Sequence, residues 1–266
     1  MSTAVASLAD RDKASQVLLE VKGLGKSFYG VEALRDIDLE VRSGEIVGLI
    51  GPNGSGKTTL FNCVTGFLRP DRGRILLRGQ DITGASPDVA ARRGLARTHQ
   101  LVQVYPGLTC RENLLIAVQE HQERSVWRRI LRTWDVRRHE AQARQLALES
   151  LKAFDLSRQE EDLAGTLSYG QRKLLEFAGV IMADPALILL DEPAAAVNPT
   201  MIERMKGHIR RLNRSGKTFL IVEHNMDVVM DICTRVVVLD VGQVIANDRP
   251  AIIRTNPAVL QAYFGR

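Results

Sequence analysis

The chain has 266 residues, 45% of them hydrophobic and 25% charged; this excludes disordered or collagen-like polymers and suits one globular core, with room for an inserted subdomain but not two independent domains. A net charge of +5 admits nucleic acid, an anionic membrane surface or the Arg excess common in nucleotide-binding proteins, and chooses none of them. Apolar runs such as Ile46–Ile50, Leu187–Leu190 and Val236–Leu239 have the length of buried strands, far short of the roughly 20 residues that span a bilayer, so membrane work would pass through a partner.

Residues 1–16 are polar and lack a basic segment followed by an apolar one, so they read as a mobile leader ahead of a domain over 17–266, not as a secretory signal. Alternating apolar and β-branched residues mark strands at Val17–Val21 and Ile37–Val41, short and closely spaced as in an antiparallel piece at one edge, and then at Glu45–Ile50. That last strand runs into Gly51, Pro52, Asn53, Gly54, Ser55, Gly56, Lys57 and Thr58, which fit GxxxxGK[ST]; Thr59 follows. The pattern is that of a phosphate-binding loop. Its glycines let backbone N–H groups turn inward around phosphate oxygens, and the helix starting near Lys57 adds its positive dipole end. Lys57 would reach the β- and γ-phosphates, and the Thr58 hydroxyl would ligate Mg²⁺.

A further strand is expected at Arg74–Arg78. From Arg111 to Leu163 the texture changes to continuous helix formers, read as a helical subdomain inserted over about residues 105–182. Within it, Trp127, Ile130, Leu131 and Trp134 recur at helical spacing while Arg124, Arg128, Arg129, Arg132, Arg137 and Arg138 take other positions. That stretch is either a packed helix with a solvated cationic face or a face set near anionic headgroups. Strands follow at Leu187–Asp191, Thr218–Glu223, Arg235–Leu239 and Gln243–Ala246, separated by helical stretches, so the expected class is α/β with a parallel central sheet. Asp191 ends a buried strand as a Mg²⁺ partner, and Glu192 beside it can polarise an attacking water. Cys63, Cys110 and Cys233 are far apart with no metal-ligand spacing, which fits a reducing cytosol and small buried residues.

Up to this point the residues describe a P-loop NTPase. Leu167-Ser-Tyr-Gly-Gln171 resembles the Leu-Ser-Gly-Gly-Gln signature of ABC transporter ATPases, and the resemblance runs from Leu18 to Phe264. It implies the fold of that family: a P-loop core with parallel sheet, an antiparallel β edge and the helical subdomain. It also implies site residues. Tyr29 matches the aromatic that stacks on adenine; Gln100 matches the glutamine that senses Mg²⁺ and the permease; Asn198-Pro199 closes the D-loop; His224 matches the switch histidine at the γ-phosphate. Ser168, Gly170 and Gln171 would serve ATP held by a second cassette, so hydrolysis requires a dimer.

Finer features resemble the larger ATPase subunit of high-affinity branched-chain amino acid importers: Gly94-Leu-Ala-Arg-Thr98, Leu108-Thr-Cys-Arg-Glu-Asn-Leu114, Glu223-His-Asn-Met-Asp227 and the ending Asn256-Pro-Ala-Val-Leu-Gln-Ala-Tyr-Phe-Gly-Arg266. His99, Ala196 and Val197 depart from that branch's pattern. The resemblance implies two membrane permeases, a second and different ATPase subunit and, indirectly, an extracytoplasmic solute-binding protein, with this chain peripheral on the cytoplasmic face of the inner membrane and no nucleic acid bound. Urea or amide importers and lipopolysaccharide exporters are the neighbouring readings. ABC ATPases of translation or DNA repair are the distant ones, but their paired cassettes or long coiled coils are not in this sequence.

Overall fold

The computed structural model describes residues 16–98, 102–122 and 134–265, for 118–122 and 134–140 by their backbone alone. The expected leader therefore lies outside the described residues except for Gln16. So do His99, Gln100 and the centre of the Arg-rich stretch with Trp127, Ile130 and Leu131.

The chain divides into two compact units, one comprising Met1–Arg97, Ala186–Ala194 and Lys206–Arg266, the other Thr98–Pro185 and Ala195–Met205. The first opens with β1 (Val17–Phe28) and β2 (Val31–Arg42), then β3 (Ile46–Ile50), α1 (Lys57–Val64), β4 (Arg72–Leu77), β5 (Gln80–Asp81), α2 (Pro87–Arg92) and β6 (Leu95–Arg97). The second holds α3 (Cys110–Gln122), α4 (Trp134–Ala153) and α5 (Tyr169–Met182). Beyond it come β7 (Leu187–Asp191), α6 (Pro199–Arg214), which begins in the second unit and ends in the first, β8 (Thr218–Val222), α7 (Met226–Ile232), β9 (Arg235–Asp240), β10 (Gln243–Asp248), α8 (Pro250–Ile253) and α9 (Pro257–Phe264).

In the first unit a four-stranded antiparallel sheet, ordered β2-β1-β4-β5, stands beside a six-stranded sheet ordered β10-β9-β3-β8-β7-β6. The six-stranded sheet is parallel except for the β9–β10 hairpin. Every residue of β3, β7 and β8 is buried, as expected for parallel strands covered on both faces and written as unbroken apolar runs. β1 and β2 are longer than the sequence suggests. They continue through Phe28 and from Val31 because Tyr29 and Gly30 both take left-handed backbone, φ 48° and 85°, which closes a tight hairpin of matching twist. Register shifts along β1 interrupt the alternation that would have announced it.

One core joins both sheets through α1. Leu60, Phe61, Cys63 and Val64 pack among Leu19, Val21, Leu39 and Ile75 of one sheet and Val47, Leu49, Leu189 and Leu220 of the other. Truncating a side chain as central as Phe61 would cost about 3–5 kcal/mol. All three cysteines are buried; desolvation raises the thiols of Cys63 and Cys110 to about 11 and that of Cys233 to about 12, so they are inert packing groups.

In the second unit Leu114, Ala147, Leu151, Leu174 and Ala178 are buried, and Phe154 meets Phe177 edge to face with centroids 5.1 Å apart. The helical texture expected through Leu163 stops earlier: Asp155 adopts φ 58°, and only short 3₁₀ turns at Ser157–Gln159 and Ala164–Thr166 precede α5. Among the described residues no helix is long and apolar enough to cross a membrane.

Candidate active site

The loop between β3 and α1 is shaped by what presses on it. A Cβ on Gly51 would stand 2.0 Å from the Leu239 carbonyl oxygen, and one on Gly56 2.6 Å from that of Ala33. Both positions also have left-handed φ, 152° and 106°, so only glycine brings the loop this close to the end of β9 and the start of β2. The Gly242 N–H donates to the Ser55 carbonyl at 3.0 Å and braces the loop from behind. The helix that follows has Gly56 as its N-cap, no side-chain cap and no acid in its first turn, so its N–H donors and positive dipole end are left for an anion.

Lys57 is buried, its Nζ donating to Gly51 O at 2.8 Å, Pro52 O at 2.9 Å and Ser55 Oγ at 3.4 Å. Burial holds its pKa below the usual 10.5, and the negative charge of Glu192 pulls it part of the way back. Asn53, Gly54 and Thr58 are exposed and Pro52 and Thr59 half-buried. Tyr263 of α9 meets the same loop. Burial raises its phenol, and a hydrogen bond from the Gly51 backbone offsets part of that rise.

Asp191 arrives at the carboxyl end of β7, buried, with Oδ2 accepting from Arg97 Nη2 at 2.7 Å. Arg97 also donates to Asn62 Oδ1 at 2.7 Å and Thr65 Oγ1 at 3.3 Å, with the rings of Phe61 and Phe67 within 5.6 and 5.9 Å of the guanidinium carbon. Asn62 stands one helical turn after Thr58 on the same face of α1. The guanidinium thus fixes the Asp191 carboxylate beside the face that carries Thr58. Glu192 then turns the chain with φ 49°, a left-handed conformation of the kind that concentrates at functional sites. Its N–H extends the ladder to Val222 O at 2.9 Å, and its Oε1 stands 3.1 Å from Nε2 of His224, which follows β8.

Tyr29 is fully exposed, at 108% of its reference area, which rules out the packed-core role a lone tyrosine would ordinarily have. The first unit thus carries Tyr29, residues 51–59, Asp191, Glu192 and His224. Ser168, Gly170 and Gln171 belong to the second unit. There Ser168 caps α5: Gln171 N–H donates to Ser168 Oγ at 3.3 Å while the Ser168 N–H donates to Gln171 Oε1 at 3.0 Å. Gly170 has no room for a Cβ, which would meet Met201 at 2.8 Å. Tyr169 is flanked by Lys173 Nζ at 5.5 Å and the Arg172 guanidinium at 5.9 Å. Gln100 lies outside the described residues.

The sequence profile of the ABC transporter family matches residues 34–195. The chain belongs to the ABC transporter family, as an ATP-binding, ATP-hydrolysing cassette. It is 40% identical to the high-affinity branched-chain amino acid transport ATP-binding protein BraF of Pseudomonas aeruginosa, over 94% of this chain and 99% of that protein. Identity and coverage are the same for LivG of Escherichia coli, a protein of the same description. The lipopolysaccharide export ATP-binding protein LptB of Haemophilus influenzae is 33% identical over 93% of this chain and 97% of its own. Among solved structures, the ADP conformation of an ATP-binding cassette from an ABC transporter superposes with a TM-score of 0.82 at 32% identity, covering 95% of this chain and all of that one.

Two residues beside the site escaped the reading by motif: Arg97, within Gly94–Thr98, and Tyr263, near the end of the chain; neither is part of a nucleotide motif. Only the pairing of β6 with β7, which sets Arg97 opposite Leu189, brings Arg97 to Asp191.

Proposed function

We propose that this cassette hydrolyses ATP at the loop of residues 51–59 to drive import of branched-chain amino acids, seated beneath membrane permeases and paired with a second, different cassette. The observation that carries the chemistry is the Glu192–His224 pair at 3.1 Å, close enough to the buried Lys57 for the charge of Glu192 to act on its ammonium. Tyr29, exposed on its hairpin, stacks on the adenine. Lys57 leaves the loop's own carbonyls for the β- and γ-phosphates, which the backbone N–H groups from Gly51 to Thr59 surround. Glu192 orients and polarises the attacking water, and His224 contacts the γ-phosphate.

The donor set fits magnesium. Thr58 offers an exposed hydroxyl on α1, and Asp191 an anion immobilised by Arg97. Such a hard ion would take its remaining oxygens from phosphate and water. When bound it neutralises charge on the β- and γ-phosphate oxygens. Gln100 is its further partner in this reading.

Import of branched-chain amino acids is supported by the likeness to BraF and LivG, proteins so named. The signature at Ser168, Gly170 and Gln171 then completes the ATP site of the partner cassette, and the protein is peripheral on the cytoplasmic face. The test is reconstitution with its permeases, its partner cassette and a solute-binding protein, measuring ATP-driven uptake of leucine, isoleucine and valine. Uptake that stops with Glu192→Gln while ATP still binds supports the proposal. Active ATP hydrolysis without uptake of any of the three would move the chain to another transporter branch.

A further inference from the structure

Glu223 has no part in the chemistry just described, yet its carboxylate is buried, with only 3% of the residue exposed. Among the described residues no Lys or Arg forms a salt bridge with it. Its charge is met instead by three backbone donors: Oε1 accepts the Ala194 N–H at 2.6 Å, and Oε2 accepts the N–H groups of His224 at 2.9 Å and Asn225 at 3.0 Å. A buried carboxylate is costly unless hydrogen-bonded in this way, so a residue that merely ended a strand would not need one.

The position of those donors is informative. β7 and β8 are paired up to Asp191 and Val222, and the Glu192 N–H adds one last ladder bond to Val222 O. Past that point the two chains part, one as Glu192-Pro193-Ala194 and the other as Glu223-His224-Asn225. The Glu223 carboxylate ties them again beyond the end of the sheet. One of its oxygens holds the chain two residues after Glu192, and the other holds the residue that bears the imidazole. The His224 side chain is 44% exposed, so packing does little to fix its ring, and the backbone beneath it must. Asn225 sets the far side of the same loop, its Oδ1 accepting from Asp227 and Val228 to cap α7.

We propose that Glu223 is a positioning residue for ATP hydrolysis, a carboxylate clamp that joins the loop after β7 to the loop after β8 so that Glu192 and His224 are presented as one pair. The assignment rests on the roles given above to Glu192 and His224. It requires both oxygens. In Glu223→Gln one oxygen becomes an NH₂ group facing an N–H donor, so one half of the clamp opens without loss of volume. Glu223→Asp keeps the charge but is one methylene too short to hold both loops.

The experiment is a double-mutant cycle on the full-length cassette in its reconstituted transporter: wild type, E223Q, H224A and E223Q/H224A, with kcat and KM for ATP, nucleotide affinity by calorimetry and thermal unfolding for each. E223Q is expected to lower kcat at least 10-fold with KM for ATP and nucleotide affinity within about two-fold of wild type. In the H224A background it should cost clearly less than it does alone, because one of the two groups it positions is gone while Glu192 remains. E223D should fall between wild type and E223Q. Full multiplication of the two losses in the double variant, or an E223Q that changes only KM or unfolding temperature, overturns the proposal while leaving the site reading intact. If E223Q does not fold, E223D takes its place in the same cycle, and failure of both to fold makes the residue a structural one and overturns it. A wild-type rate for H224A overturns the site reading itself and the clamp with it.

Discussion

Two helix starts in this cassette are proposed to meet phosphate, and they are built in opposite ways. α1 opens at Gly56 with no side-chain cap and no acid in its first turn, beneath a loop locked by contacts that exclude any Cβ at Gly51 and Gly56. α5 opens at Ser168 with a complete capping box, Ser168 and Gln171 each satisfying the other's backbone. The first site keeps its donors for a ligand and is organised before one arrives. The second has tied up two of its backbone groups, the Ser168 and Gln171 N–H, in the cap, where the Ser168 hydroxyl accepts at 3.3 Å and keeps its own proton to donate to a phosphate. The difference suits their proposed roles: one holds this chain's nucleotide throughout, while the other joins a partner's nucleotide only on closure.

The largest expected effect falls on the first site. Glu192→Gln should retain ATP binding while lowering turnover about 10²–10⁴-fold, the usual loss when a positioned base is removed; single-turnover hydrolysis in the reconstituted transporter measures it, and a rate near wild type would contradict the assignment. Lys57→Ala should come next, weakening ATP affinity about 10- to 150-fold through loss of charge-assisted bonds. Calorimetric titration of the cassette alone is sufficient, because Lys57 and the loop of residues 51–59 lie wholly on this chain.

How much of this was legible depended on whether a feature is written along the chain or across it. The phosphate loop, the Asp191–Glu192 pair and the buried strands are linear patterns. Backbone geometry and continuous apolar runs enforce them locally, so they could be read directly. Arg97 reaches Asp191 across 94 positions, Glu223 reaches Ala194 across 29, and Tyr263 meets Gly51 from nearly the other end of the chain. Each depends on strand order, which spacing does not encode. The β1–β2 hairpin was underestimated for a different reason: its turn is Tyr29-Gly30, outside the Asn-Gly and Asp-Gly pairs that usually mark such turns. The exposure of Tyr29 was invisible for the same reason.

A smaller effect separates the sites by their protons. Burial holds the Lys57 pKa below 10.5, so between its folded value and 10.5 the unfolded chain binds more protons and stability rises with pH through that window. Phosphate beside the ammonium favours the charged form. ATP binding should therefore take up a fraction of a proton in the window between the lowered folded pKa and 10.5. Calorimetry in buffers of different ionisation enthalpy reads the uptake. It should vanish in Lys57→Ala, and its persistence there would assign the proton elsewhere.

The smallest effect on the chain itself belongs to α5. Ser168→Ala removes one half of the capping box, so Gln171 N–H loses its acceptor; the loss should be about 1 kcal/mol in stability, as for other N-caps. ATP affinity of the isolated cassette should not change, because its own loop has no share in that helix start. In the assembled transporter, however, the Ser168 hydroxyl is proposed to meet the partner cassette's ATP, so turnover should fall at the partner's phosphate loop and not at Lys57. Photo-crosslinked nucleotide assigned to each subunit separates the two. Tyr169 sharpens the reading, since Lys173 and Arg172 lie against its ring and keep positive charge at that helix start. If Ser168→Ala weakened nucleotide held by its own chain, the two helix starts would be parts of a single site, and the opposite construction of their caps would have no functional meaning.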